Sequence, residues 1–174
     1  MEHSGTVPES EEIKMKKRLI AVLVLLLVAG TTSVFALGIG VQGGYTGGIA
    51  DGALTIKPDG SNLIFAVNGY LGSNATWIGV AADDWIANKA LAKPVNYFYG
   101  VGAAGGITFG GNTLSAGVYG RLVAGLNVYV LDNFLEIYLQ GAWQPGVVIA
   151  LGNNTGVDPV IANFPVNVGL RFWL

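Results

Sequence analysis

The stretch from Leu114 to Gln144, LSAGVYGRLVAGLNVYVLDNFLEIYLQGAWQ, alternates apolar and weakly polar residues on both sides of one turn, and few folds accept that pattern. On its first arm Leu114, Ala116, Val118, Gly120, Leu122, Ala124, Leu126, Val128 and Val130 share a face, with Ser115, Gly117, Tyr119, Arg121, Val123, Gly125, Asn127 and Tyr129 on the other. On the second arm Leu135, Ile137, Leu139, Gly141 and Trp143 alternate with Glu136, Tyr138, Gln140, Ala142 and Gln144. A period of two marks a β-strand, because successive side chains point to opposite faces. Asp132-Asn133 suits a two-residue loop, which sets Leu131 against Phe134. Val128 then faces Ile137, Leu126 faces Leu139 and Leu122 faces Trp143, while Asn127 meets Tyr138, Gly125 meets Gln140 and Arg121 meets Gln144. A slip of one residue would mix the faces, so turn and pattern specify the same hairpin.

The chemistry of the second face decides which side is inside. A soluble barrel would bury the aliphatic face and turn a face rich in Lys, Glu and Asp to water. Here Arg121 and Glu136 are the only charges on the polar face, set among Gly, Ala, Tyr, Asn and Gln. Such residues suit the crowded interior of a small barrel whose aliphatic face meets lipid.

The N-terminal region reads as targeting sequence. Residues 1–14 are a polar, acidic leader extension outside the fold. Residues 15–36 form a signal peptide: Lys16, Lys17 and Arg18 as basic region, Leu19 to Val28 as apolar core, and Val34-Phe35-Ala36 as cleavage site. About ten strongly apolar residues are too few to span a bilayer as a helix, which needs about 20. The chain has no Cys, which excludes a lipoprotein anchor and a disulfide framework.

Residues 37–174 are then one domain. Mean hydropathy of the whole chain is +0.53, yet no apolar run beyond the signal segment could form a spanning helix. The closed barrel is the other membrane-compatible structure, because it too satisfies every backbone polar group. Further strands are predicted at Leu37 to Thr46, Asn62 to Leu71, Ala75 to about Asp83, Val95 to Thr108 and Phe164 to Leu174, with a short, weaker one at Leu54 to Lys57. Trp77 and Ile78 compete for the outward face. Asp84 to Pro94 is predicted as a loop, as is 151–163, which carries Gly152-Asn153-Asn154-Thr155-Gly156 and Asp158-Pro159. The expected fold is all-β: a single antiparallel, eight-stranded, transmembrane up-and-down barrel. At about 9 to 11 residues per strand, eight strands use roughly 80 residues, and ten would leave little for connections.

The C-terminal FPVNVGLRFWL resembles the insertion signal of bacterial outer-membrane barrels, which the barrel-assembly machinery reads. Phe164, Val166, Val168, Leu170, Phe172 and Leu174 carry its alternation, and Leu174 stands where the family most often has Phe. Together with VGLNVYVLDNFLEIYLQGAWQPGV, the chain resembles small eight-stranded outer-membrane proteins, including those described from spirochaetes. The resemblance implies a bacterial outer-membrane location, both ends periplasmic, lipid as surroundings, the assembly machinery as a partner during insertion, and a monomer. It makes the Asp132-Asn133 turn periplasmic and the 151–163 loop extracellular. Tyr45, Tyr97, Trp143 and Phe172 are candidates for interfacial girdles, and Trp173 for a plug at the periplasmic end.

The candidate interior residues are Arg121, Asn127, Glu136, Gln140, Gln144 and Arg171. Glu136 and Arg171 are expected to pair, since both point inward near the same end and a charge in a narrow barrel needs a partner. Arg121 is expected to pack on Gln144 or to set the charge selectivity of a pore. The only histidine is His3, in the leader, so the Ser–His, Asp–His and Cys–His devices that outer-membrane phospholipases, deacylases, acyltransferases and omptin-like proteases use are missing. Asp83-Asp84 would point to opposite faces. No catalytic, metal or cofactor residue is assigned, and no basic patch suggests nucleic acid. Three classes remain: a narrow pore or conduit for small or hydrophobic solutes, a structural or surface-interaction barrel without transport, and a soluble ligand-binding barrel with the aliphatic face turned inward.

Overall fold

The computed structural model describes residues 36–72, 75–110, 113–151 and 155–174. The leader and, apart from Ala36, the signal peptide lie outside the described residues. Ten strand segments make one sheet: β1 (Leu37–Thr46), β2 (Ile49–Pro58), β3 (Leu63–Leu71), β4 (Thr76–Ala92), β5 (Val95–Gly110), β6 (Thr113–Val130), β7 (Leu135–Trp143), β8 (Gly146–Leu151), β9 (Gly156–Val160) and β10 (Val166–Trp173). Their order is β5-β4-β3-β2-β1-β10-β7-β6-β8-β9, and the β5–β6 pairing closes the sheet into a barrel.

The ten segments are eight staves. β8 carries on the register of β7 along β6, from Leu122 opposite Trp143 to Tyr119 opposite Gly146 and Leu114 opposite Leu151. Across the gap, Gly120 N donates to Pro145 O at 2.9 Å, so Pro145, which has no N–H, interrupts the hydrogen-bond ladder and not the stave. β9 and β10 are joined likewise: Gln144 N donates to Asn163 O at 2.8 Å and Ala142 N to Pro165 O at 2.9 Å. All neighbours are antiparallel, and both ends of the barrel domain meet at one rim, where Leu37 N donates to Leu174 O at 3.2 Å and Leu174 N to Leu37 O at 3.1 Å. We call this the terminal rim and the other the far rim.

The hairpin has the register its pattern dictates, with Val130 opposite Leu135 and Asn127 opposite Tyr138. Its turn is closed by Phe134 N donating to Leu131 O at 3.0 Å, and Leu131, Asp132 and Asn133 all have positive φ. Positive φ at both central residues gives the handedness that follows strand twist.

Three expectations need correction. The weak strand at Leu54 to Lys57 is a full ten-residue strand, β2. Its inward positions hold Asp51, Thr55 and Lys57, and Gly52 thins the outward face, so apolar alternation understates it. Residues Asp84 to Ala92 are not a loop but the end of β4. This part runs past the start of β3, where Leu63 meets Asp84, and the outward Asp84 breaks the apolar alternation between Ala82 and Ile86. Bulges between Asp84 and Ala87 and between Ala90 and Ala92 further blur the period. Within 151–163, Gly156–Val160 pairs with β8 as β9, and Pro159 is accommodated because β9 is the last strand in the sheet order.

The aliphatic faces point outward around the barrel. Val41, Leu54, Val67 and Val80 lie side by side on β1 to β4, all exposed. Ile78 takes the outward position and Trp77 the inward one. Inside, glycines let aromatic rings lie close to the wall. A Cβ on Gly125 would collide with the Leu139 carbonyl and the Phe98 ring, whereas one on Gly43 would meet nothing. Gly125→Val should therefore cost about 1–3 kcal/mol by overpacking, and Gly43→Val should stay within about 0.5 kcal/mol. Urea midpoints of the two refolded variants check this, and equal midpoints would count against the packing described.

Candidate functional site in the barrel lumen

Alternation sends every second residue of each stave into the lumen, and the described charges sort accordingly. Lys57, Arg121, Arg171, Asp51, Asp83 and Glu136 line the interior, Asp59, Lys89, Lys93, Asp132 and Asp158 sit at the rims, and Asp84 lies on the outer face of β4 beside Leu63 and Val101. The interior charges are balanced in number but arranged in two layers.

The layer nearer the terminal rim is built on Glu136 and Arg171, directly opposite each other on β7 and β10. Arg171 Nη1 lies 2.7 Å from Glu136 Oε2, and both side chains have 0% exposure. Asn127 Nδ2 donates to the other carboxylate oxygen, Glu136 Oε1, at 2.7 Å. A charge without water needs this kind of paired and hydrogen-bonded environment. The cation also rests on aromatic faces, with Arg171 Cζ 4.9 Å from the Tyr138 ring centroid and 5.6 Å from that of Trp85.

Trp85 and Phe98 complete a seal. Their rings stack at 3.6 Å between centroids, 10° from parallel, each residue 1% exposed. Tyr138 meets Trp85 edge-on at 6.3 Å. Lys57 Nζ sits 4.7 Å from the Trp85 centroid and 5.7 Å from that of Trp173. Trp173, placed inward by the alternation of β10, thus joins the seal at the terminal rim, and it lies 6.4 Å from Tyr129.

The layer toward the far rim is built on Arg121. Its Nε donates to Asp83 Oδ1 at 2.8 Å and its Nη2 to Asp83 Oδ2 at 3.2 Å, a fork-like pair, while Nη1 donates to Gln144 Oε1. Gln140 Nε2 donates to Asp83 Oδ2 at 3.1 Å. Arg121 is therefore held on three sides. Above and beside this layer lies a cavity of about 170 Å³, lined from Arg171, Thr55 and Tyr138 at its floor to Thr46 and Ile49 at the far rim. The 47–48 turn beside its mouth consists of two glycines at φ +57° and +93°, values that exclude most side chains.

Arg121, Asn127, Glu136, Gln140, Gln144 and Arg171, the residues singled out by alternation, are all buried in the lumen, and they fall in both layers. Phe164, Val166, Val168, Leu170, Phe172 and Leu174, read from the sequence as resembling an insertion signal, face outward. Among the girdle candidates Tyr45, Trp143 and Phe172 are exposed, Tyr97 is half-buried, and Trp143 Nε1 donates to Ile161 O at 2.8 Å. Sequence reasoning missed Asp83, Lys57, Trp85 and Phe98. Asp83 and Trp85 continue the inward series Gly79, Ala81 of β4, a signal that would have found them. Among the described residues no cluster of His, Cys, Asp or Glu could hold a metal ion.

The class defined by fold and lumen is an eight-stranded antiparallel barrel with an apolar exterior and a sealed polar interior. No protein-family model and no curated protein matches the chain. Among solved structures it is similar to neisserial surface protein A, at 12% identity and a TM-score of 0.49 over 80% of this chain and 97% of that one. It is also similar to a major outer membrane protein of Thermus thermophilus, at 10% identity and a TM-score of 0.45 over 82% of this chain and 100% of that one.

Proposed function

We propose that the protein is an integral bacterial outer-membrane barrel that does not conduct, presenting its far rim and a blind lumen cavity to the outside. One observation carries the membrane reading: apart from Asp84, which faces outward between Leu63 and Val101 level with the start of β3, every described charge lies in the lumen or at a rim, and the exposed band between them is aliphatic. In water such a surface would be an aggregation liability; in a bilayer it is the lipid-facing belt. A soluble ligand-binding barrel would need the aliphatic face inside, the opposite of the arrangement described. Export by the 15–36 signal, insertion through the Phe164 to Leu174 segment and a monomeric state belong to the same proposal, with the terminal rim periplasmic.

The Trp85–Phe98–Lys57–Arg171 seal argues for the non-transporting reading over the pore. The full chain refolded in detergent should be β-rich and migrate differently with and without boiling, and should give no steady conductance steps in planar bilayers. Trp85→Ala removes the largest ring of the seal and should introduce steps. Steps of the same size in the unaltered protein would overturn the non-conducting assignment, and a β-rich monodisperse protein in plain buffer would overturn the membrane one.

A further inference from the structure

The cavity has a chemical bias that its lining specifies. Asp51 lines it from β2, and its carboxylate accepts no hydrogen bond and joins no ion pair among the described residues, because Arg121 is committed to Asp83 and Gln144. The layer around it thus holds two carboxylates and one guanidinium, and the second guanidinium of the lining, Arg171, lies at the floor in its pair with Glu136. Gly44 lies between Asp51 and Asn167 in the sheet, and Asp51 Oδ1 and Asn167 Oδ1 converge on the space a Cβ at Gly44 would fill. A third oxygen on the lining, Asn68 Oδ1, is buried without a donor. Deeper in, Thr55 is 1% exposed and its Oγ1 is unpartnered. Buried acceptors without donors are costly, and a ligand that brings donors removes the cost.

Next to these acceptors, on β4 and β6, the lining is aromatic. Trp77 occupies the space that Cβ atoms on Gly79 and Gly106 would need, and Tyr119 does the same over Gly117 and Gly146, so both rings lie against the wall and leave the centre open. Acceptors and a carboxylate without a direct ion pair, in one cavity with aromatic rings, form an environment for a cation. The volume, about 170 Å³, corresponds to about six waters at ~30 Å³ each and falls below the ~300 Å³ of drug-sized sites.

From this we infer that the far-rim cavity binds a small organic cation with an ammonium head, held by Asp51, Asn167 and Asn68 against Trp77 and Tyr119. The inference rests on the proposed barrel reading for its access from outside, but its test does not need a membrane. The full chain, ¹⁵N-labelled and refolded in a neutral maltoside detergent, is titrated in turn with butylammonium, butyrate and butanol. Butylammonium should give saturable shifts centred on Asp51, Asn68 and Asn167, with at least about tenfold weaker binding of the other two, the size of one charge-assisted contact. Asp51→Asn should weaken butylammonium about tenfold, and Asp51→Glu should retain it. Equal binding of butyrate or butanol, or no saturable shift with butylammonium, would overturn the inference even where Asp51→Asn fails to fold. A barrel that stays heat-modifiable and non-conducting while ignoring butylammonium would overturn this inference alone and leave the barrel reading standing.

Discussion

Arg171→Met should destabilise the barrel by about 3–5 kcal/mol, the usual cost of leaving one member of a buried ion pair alone. The substitution leaves Glu136 fully buried with the Asn127 amide, 2.7 Å away, and no directly paired cation. It also removes the cation that lies on the Tyr138 and Trp85 rings. The double variant Glu136→Leu with Arg171→Met removes both charges and should recover most of the loss, because well-packed apolar replacements of buried pairs are often neutral or better. Urea unfolding of the refolded proteins, followed by tryptophan fluorescence and by mobility of unboiled samples, reads both values. If the double variant is as unstable as Arg171→Met alone, the ion pair is not the source of the stability and the packing of Arg171 on the rings is.

Leu54→Arg tests the outer face with an effect of similar size. Leu54 is 63% exposed, in the middle of β2, and is flanked by Val41 and Val67 on the neighbouring strands. In a bilayer an arginine there should cost about 2–4 kcal/mol, falling to about 0–1 kcal/mol near an interface. Tyr45→Arg, 60% exposed at the far end of β1, is the matched control and should lose far less. The comparison is made by equilibrium unfolding from lipid vesicles. Equal losses at the two positions, or none at either, would show that the aliphatic band does not meet the hydrocarbon core.

The hairpin from β6 to β7 was fully legible because alternation, turn chemistry and register are local and agree. So were β1, β5 and the β10 end-strand, where large outward residues alternate with Gly, Asn and Arg. β2 and the end of β4 were not. In β2 the inward positions carry Asp51 and Lys57, whose placement makes sense only once Arg121, Glu136 and the aromatic seal are known to surround them. In β4 the outward Asp84 and two bulges break the alternation, although Ile86 and Leu91 beyond it are exposed apolar residues again. The β8–β9 hairpin was hidden by Pro145 and Pro159, which read as breakers although one sits at an interruption of a stave and the other on an edge.

Composition and period alone determined that this chain forms strands with an aliphatic face and a polar face, the latter poor in charge along the central hairpin, since side-chain direction in a strand depends only on position parity. They also put Glu136 and Arg171 on inward faces, and the topology implied by the resemblance put them at one end. The tertiary structure decided which charges meet. Closing the sheet brings β4 across the lumen from β6 and β7, so that Asp83, and not a residue of the hairpin itself, takes the Arg121 fork. It likewise leaves Asp51 without a partner beside Asn167. Contacts across a lumen depend on stagger and closure, and those are properties of the whole barrel and not of any one strand.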